Sequence, residues 1–237
     1  MTRARLLLFA LAGFAAGLLA LFPLSLALRL ANAPQFGLSA RAAQGSVWGG
    51  ELRAARWRGV EIGDVRVALQ AAPLFWGNPA LELHSRGAVP LDGVVSLHGV
   101  RGLDAELPLR GLRASADGAI EGRARLENAT AVFSGKRCRR AAGTVNLALR
   151  VRGRAGGWTS APPLTGALQC RDGALVAPLR GGQEGLTVDV LARLSGDGAW
   201  RLDTKVNTAN AGVVAALIAS GFAPGPEGAV RSDEGRL

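Results

Sequence analysis

The sequence predicts an all-β domain that follows a single transmembrane helix at the amino terminus. Three observations support this fold class. An uncharged apolar run, residues 6–28, opens the chain. The rest contains about 10 to 12 short segments in which apolar and polar residues alternate with the period of a β-strand. Glycine and Asp-Gly pairs separate many of these segments, as expected of turns between antiparallel strands.

Residues 6–28 are long enough to cross a membrane as a helix. At about 1.5 Å per residue, the run spans about 35 Å, whereas a bilayer core is about 30 Å thick. Arg3 and Arg5 precede the run, and basic residues beside a span stay in the cytoplasm. We therefore expect a cytoplasmic tail at 1–5, an anchor at 6–28 and a β-rich domain at 34–237 that lies outside the cytoplasm.

A cleaved secretory signal is the alternative for the same segment. Ala31-Asn32-Ala33 matches the small-residue cleavage site of such signals. However, the apolar run exceeds the usual signal length of about 7–15 residues, and Pro34 directly after the cut makes a poor protease substrate. A helix buried in a soluble core is a third alternative, but the run has no polar side to face water. The sequence favours a retained anchor.

The composition favours neither nucleic-acid nor metal binding. The formal net charge is +10, but basic residues cluster only at 136–140, and stacking aromatic residues are few. Cys138 and Cys170 are the only cysteines, and no further Cys or His stands near them with metal-ligand spacing. Outside the reducing cytoplasm, these two thiols are expected to form a disulfide. We expect no metal, no cofactor and no nucleic-acid partner.

The first half of the domain is predicted to contain short strands around glycine-rich turns. Trp48 stands between glycines, which predicts a strand with a bulge or tight turn at 45–50. Turns are predicted at 59–64 and, as a hairpin, at Asp92-Gly93. The strands of this half are expected at 51–57, 65–69, 81–85, 89–91 and 94–97.

Residues 71–79 contain two prolines and a glycine, which predicts a loop. Phe75 and Trp76 in this loop are expected to be exposed. One interpretation is that they contact a partner or the membrane surface. The other is that they fold back and close the end of the sheet.

The second half is predicted to contain further strands and one helix. Residues 153–163, rich in Gly, Pro and Ser, are either a hinge that subdivides the domain or a long hairpin loop. Pro108 favours an edge or a strand end. Residues 211–220 predict a short helix that ends at Gly221. The strands of this half are expected at 104–109, 120–126, 131–133, 144–151, 164–170, 174–179, 186–194 and 200–206, with a short one in the tail.

The sequence contains no recognisable catalytic motif. His84 and His98, the only histidines, lie on neighbouring predicted strands, and no serine lies in a nucleophile elbow. No glycine-rich loop has the Lys-Ser/Thr ending of a phosphate-binding loop. The aspartates at 64, 92, 104, 117, 172 and 197 fall in predicted turns, where a carboxylate accepts backbone hydrogen bonds. We therefore expect a non-catalytic domain that binds, scaffolds or shields something apolar.

Several of these features together resemble a known family. Gly45-Ser46-Val47-Trp48-Gly49-Gly50 is similar to the G-[TS]-[VLI]-W-x-G segment of general secretion pathway protein N, the N component of the bacterial type II secretion system. The apolar amino terminus, the pair Cys138 and Cys170, and the closing Gly221 and Gly235-Arg236-Leu237 fit the same family. The resemblance covers nearly the whole chain.

The resemblance implies a single-pass protein of the bacterial inner membrane whose domain lies in the periplasm. It implies an accessory, non-enzymatic part of the machinery that exports folded proteins across the outer membrane, with other type II secretion components as partners. The fold implied is a curved antiparallel sheet or sandwich, similar to that of the AsmA-like envelope proteins. An AsmA-like role in envelope biogenesis or lipid transfer, with acyl chains on the apolar inner face of the sheet, is the alternative function.

Overall fold

A computed structural model describes residues 13–14, 17–18, 20–57, 59–115, 118–152 and 158–236. The chain divides into two compact units, residues 1–97 and 98–237. Both are built from antiparallel strands, and the helices are few and short, which confirms the all-β prediction. The predicted tail at 1–5, much of the predicted anchor before residue 20 and residues 153–157 of the expected hinge lie outside the described residues.

Unit 1 is an antiparallel sheet of six strands. Its strands are β1 (Leu38–Ser39), β2 (Ala42–Ser46), β3 (Gly49–Trp57), β4 (Val60–Gln70), β5 (Ala80–Ser85) and β6 (Leu91–Ser96). Strands β1 and β2 pair with successive parts of β3, and β4, β5 and β6 follow in chain order. The helices are α1 (Leu24–Leu30) and α2 (Ala71–Phe75), with a 3-10 turn at Ala33–Phe36.

Helix α1 covers the apolar face of the unit 1 sheet. Leu52, Val65 and Val67 line this face because alternate residues of a strand point to the same side. Leu24 of α1 packs against them and is only 4% exposed. Pro23, whose ring carries no N–H, stands directly before α1. The last part of the predicted anchor, residues 24–28, therefore forms a separate helix that packs on the sheet.

Two predicted turns of unit 1 are strands. Residues 59–64 mostly belong to β4, because a β-bulge in β3 accommodates the irregular pairing of β3 with β4. In this bulge, Ala54 adopts a φ of 48°, and its N–H donates to Oδ1 of Asp64 at 2.9 Å. Asp92-Gly93 lies inside β6, paired with β5, so the hairpin predicted there is wrong. The chain turns instead before Leu91 and after Ser96.

The described residues of unit 2 form eleven strands and one helix. Its strands are β7 (Gly99–Ser115), β8 (Gly118–Ser134), β9 (Arg137–Arg152), β10 (Trp158–Ser160), β11 (Leu164–Ala167), β12 (Gln169–Arg171), β13 (Ala174–Gln183), β14 (Leu186–Leu194), β15 (Ala199–Thr208), β16 (Ala223–Gly225) and β17 (Gly228–Arg236). Strands β10 and β11 join β9 to the second half of the sheet, which continues β13-β14-β15-β17-β16.

The first strands of unit 2 are longer than predicted. Residues 120–126 and 131–133 were separate strands in the prediction, but both lie in β8, which is 17 residues long. A bulge again allows the pairing to continue: Asn128 adopts a φ of 48°, and its N–H donates to Oδ1 of Asp104 at 2.8 Å. Pro108 lies inside β7 and not at a strand end.

Helix α3 (Ala211–Ala219) confirms the predicted helix near the carboxyl terminus. The side chain of Asn210 accepts the N–H groups of Gly212 and Val213, which would otherwise lack a partner in the first turn. Gly221 adopts a φ of 93°, and the N–H of Phe222 donates to the carbonyl of Leu217. This is the Schellman ending expected of a helix followed by glycine.

Candidate functional site

The apolar face of unit 2 is the first candidate surface. Leu164, Ala177, Leu179 and Val190 form its buried centre, and every residue of the cluster lies in or beside a strand. Leu179 lies opposite Val190, so the cluster crosses the sheet from one strand to the next. Unlike unit 1, the cluster includes no residue of a helix.

A cavity of about 310 Å³ lies at one end of this face. Two rows of directly opposed side chains line it: Leu175, Leu194 and Trp200, and then Ala177, Ala192 and Leu202. Leu168 completes the apolar lining, and Arg193 and Arg201 also border the cavity. Such an apolar space fits an apolar chain better than a polar ligand.

The disulfide lies beside the cavity. Cys138 and Cys170 are joined with their Cα atoms 5.5 Å apart, as expected from the sequence. Cys170 lies opposite Leu175 of the cavity lining, and the N–H of Cys138 donates to the carbonyl of Gly173. The bond therefore ties β9 to β12 at the edge of the cavity.

The sheet of unit 2 curves at this same end. A Cβ on Gly196, in the turn between β14 and β15, would lie 2.6 Å from the carbonyl carbon of Lys136, in the turn between β8 and β9. These turns belong to strands that are far apart in the order of the sheet, so their contact requires strong curvature. Asp197 lies in the same group of turns, and its carboxylate accepts the N–H of Ala199.

The opposite face of unit 2 carries ion pairs between arginine and aspartate. Arg180 contacts Asp189 at 2.5 Å, and Arg201 contacts Asp203 at 3.0 Å. A further pair, Arg231 with Asp233 at 2.7 Å, lies on the apolar side of the sheet, because Arg231 is paired with Thr204. Its guanidinium also lies over the ring of Phe222. A shallow groove of about 1570 Å³ is lined in part by these three pairs.

The carboxyl groups of Asp203 and Asp197 are held in their charged form. The hydroxyl of Ser232 donates to Asp203, and together with Arg201 it lowers the pKa of that carboxyl. The N–H of Ala199 likewise lowers the pKa of Asp197. A general acid at neutral pH needs the opposite shift, so these groups suit structural pairing better than proton transfer.

The two histidines belong to different units. Nδ1 of His84 lies 2.6 Å from Oδ2 of Asp92, and both side chains are substantially exposed. His98 lies in the turn after β6, where its carbonyl accepts the N–H of Phe133. Among the residues that the structure describes, no three His, Cys, Asp or Glu side chains cluster as metal ligands would.

Phe75 and Trp76 are exposed, and they do not fold back onto the sheet. Their exposed fractions are 87% and 86%, and α2 buries none of its residues. The exposure predicted from the sequence is therefore confirmed. What these side chains contact has to be argued from their surroundings.

The sequence analysis did not predict the ion pairs, or that two of the aspartates lie in β-bulges. Arg201 and Asp203 are two positions apart in one strand, so their side chains point to the same side of the sheet. The same holds for Arg231 and Asp233 in another strand. This Arg-x-Asp repeat is visible in the sequence and was the available signal. Asp64 and Asp104 accept backbone N–H groups as expected, but in β-bulges and not in turns.

Comparison with known proteins gives one positive result. The family model described as type II secretion system (T2SS), protein N, matches residues 36–232, a range that includes strands of both units. No protein of curated function and no solved structure matches the chain significantly.

Proposed function

The chain belongs to the type II secretion system protein N family, and from this membership we propose that it is an accessory, non-catalytic component of that system. The observation that carries the proposal is the family match across residues 36–232. The domain would bind or position other secretion components during export of folded proteins across the outer membrane.

The proposed location is the inner membrane, with the amino terminus in the cytoplasm and both units in the periplasm. Since residues 24–28 pack on unit 1, the tether would comprise residues 6–22, about 26 Å of helix and at the short end of the range for a span. Among the described residues, no helix is long and apolar enough to span a membrane. The uncharged run and the preceding Arg3 and Arg5 support the proposal.

A periplasmic location also agrees with the covalent structure. The Cys138–Cys170 bond requires an oxidising compartment to persist.

The proposed absence of catalysis is supported by the state of the polar groups. The carboxylates of Asp189, Asp203 and Asp233 are engaged by arginines.

A deletion in the bacterium that encodes the chain tests the proposed function. We expect folded substrates of the type II pathway to decrease in the medium and to accumulate in the periplasm, as measured by quantitative mass spectrometry. The full-length gene supplied on a plasmid should restore export. Unchanged export in the deletion strain, with the other secretion components present at normal levels, would contradict the proposal.

Lipid binding is a second candidate function, favoured by the apolar cavity beside Trp200 and Leu202. Cells fed a photoactivatable fatty acid would yield a crosslinked peptide from this cavity if acyl chains occupy it. Ala192→Phe, which fills the cavity, should remove the crosslink. Ala167→Phe, at an exposed site of β11, should not. A crosslink that is equal in all three proteins would argue against an acyl chain in the cavity.

A further inference from the structure

At one end of the unit 1 sheet, the strand ends and the connections between them contain no ionisable residue among those that the structure describes. Three segments of its described residues meet there: 42–50, 67–81 and 93–97. None contains Asp, Glu, Lys, Arg or His. The opposite end of the sheet differs. Arg56, Glu61 and Arg86 lie in or beside the strand ends there.

Hydrogen bonds place the amino-terminal apolar run at this uncharged end. The N–H of Val47, in the turn between β2 and β3, donates to the carbonyl of Phe22 at 3.0 Å. The carbonyl of Val47 accepts the N–H of Leu69 at 2.8 Å. Pro23 also forms an isolated bridge with Ser46. The chain therefore leaves the run of residues 6–22 and enters unit 1 at this end.

The loop that carries Phe75 and Trp76 projects from the same end. It follows the last residue of β4, Gln70, and leads into β5 at Ala80, which pairs with both Gln70 and the last residue of β6. The segment is folded: it begins with helix α2, and the N–H groups of Trp76 and Asn78 both donate to the carbonyl of Pro73. Phe75 and Trp76 are thus held outward by the backbone.

Two further apolar side chains are exposed nearby. Leu97, directly after β6, is 78% exposed, and Leu21, directly before Phe22, is 80% exposed. Four large apolar side chains at an uncharged sheet end form an unusual surface for a water-facing domain. Trp and Phe at the edge of a membrane-spanning segment are typical of the lipid headgroup region, since their rings are apolar and the indole N–H can still contact water.

We infer that this end of unit 1 rests on the lipid bilayer, with Phe75 and Trp76 inserted at the level of the headgroups. The inference rests on the proposed membrane tether, which would bring the same sheet end to the bilayer surface. The loop would be a second contact, in addition to the tether, and would fix the orientation of unit 1. The charged end of the sheet would then face away from the membrane.

Fluorescence quenching in vesicles tests this contact with the full-length chain. The protein is reconstituted into phosphatidylcholine–phosphatidylglycerol vesicles that contain lipids brominated near the headgroup end of the acyl chain, which quench nearby tryptophans. We expect Trp76→Phe to remove much of the bromolipid-quenched emission. Trp57→Phe, at the opposite end of the sheet, should remove none. Since Trp76 is exposed, its conservative replacement should leave the fold intact.

The outcomes separate this contact from the tether on which it rests. If the protein does not float with the vesicles, the tether and the contact are both overturned. If it floats and Trp76 is still quenched by iodide from water, the contact alone is overturned. If Trp76 is protected from iodide and from bromolipid alike, a protein partner or a second copy covers it, and the lipid contact is again overturned.

Discussion

The two units cover their apolar faces in different ways. In unit 1, helix α1 packs on the sheet, with Leu24 inserted into the cluster around Val65 and Val67. In unit 2, the buried cluster is made by the strands and their connections, and the sheet end beside the cavity is tied by the Cys138–Cys170 disulfide. The faces share the same alternation of apolar residues, yet among the described residues only the buried cluster of unit 1 includes a helix residue.

This difference indicates different functions for the two faces. A face filled by a helix of the same chain is closed to ligands, and its contribution is stability. A face that relies on its own curvature keeps space between its side chains, as the cavity bordered by Leu175 and Trp200 does. We therefore expect the stability of unit 1 to depend on packing and that of unit 2 to depend on cross-linking and close strand contact.

Removal of the disulfide should have the largest effect, and it should be confined to unit 2. For the double variant Cys138→Ser, Cys170→Ser, the loop-entropy model gives a loss of about 3–4 kcal/mol in the free energy of unfolding. Denaturant titration with hydrogen exchange would locate the loss. Faster exchange is expected in β12–β14 and unchanged exchange in β3–β4. Equal destabilisation of both units would contradict the comparison.

Leu24→Ala should produce the converse result. Removal of this buried side chain from α1 should destabilise unit 1 by about 2–3 kcal/mol, through lost burial and the cavity that remains. Leu30→Ala, in the same helix but 72% exposed, is the matched control and should have little effect. Hydrogen exchange in β3 and β4 measures the change. If both variants behave alike, α1 does not cover the face.

A smaller effect is expected at a close approach between two strands of unit 2. A Cβ on Gly166 of β11 would lie 2.0 Å from the carbonyl oxygen of Pro178 in β13. Gly166→Ala must therefore displace one strand, at about 1–3 kcal/mol. Gly185→Ala is a different control. A Cβ at Gly185 would meet no atom within 4 Å, but Gly185 has a φ of 72°, so any loss of stability in this variant would reflect backbone strain alone. Thermal unfolding compares the two variants.

The smallest effect should come from pH. The pKa of Asp203 is lowered in the folded state, so the hydrogen bond from Ser232 and the contact with Arg201 stabilise unit 2 above the ordinary carboxyl pKa of about 4. This stabilisation is lost as the pH falls through the lower folded value. The melting temperature of Asp203→Asn should therefore fall less than that of the parent chain between pH 7 and pH 3. Glu184→Gln, at an exposed turn, should follow the parent.

Much of the fold was accessible from the sequence, because side-chain alternation directly reports which face of a strand is buried. Residues 186–194 were predicted as a strand and form β14, and the helix before Gly221 is present. The bulges were not predictable, because the left-handed conformation of Ala54 is set by the partner strand and by Asp64. The ion pair of Arg180 with Asp189 likewise depends on strand register, which a single sequence does not specify.

Hydropathy does not show that the last part of the apolar run packs on unit 1. Hydropathy alone treats residues 6–28 as one segment, since all are uncharged. Pro23 was the signal for a break, because it cannot donate an N–H to the preceding turn. The structure places Leu24 in the core of unit 1. Hydropathy does not distinguish a leucine buried in a protein core from one buried in lipid.

Crosslinking in intact membranes tests the central claim most directly. A photoreactive residue is placed in the full-length chain at an exposed position of each unit, such as Arg53 in unit 1 and Arg139 in unit 2, and the crosslinked proteins are identified by mass spectrometry. Membership in the type II secretion system predicts that other components of that system are the main crosslinked proteins. Reproducible crosslinks to proteins of a different envelope pathway, with none to type II secretion components, would contradict the account.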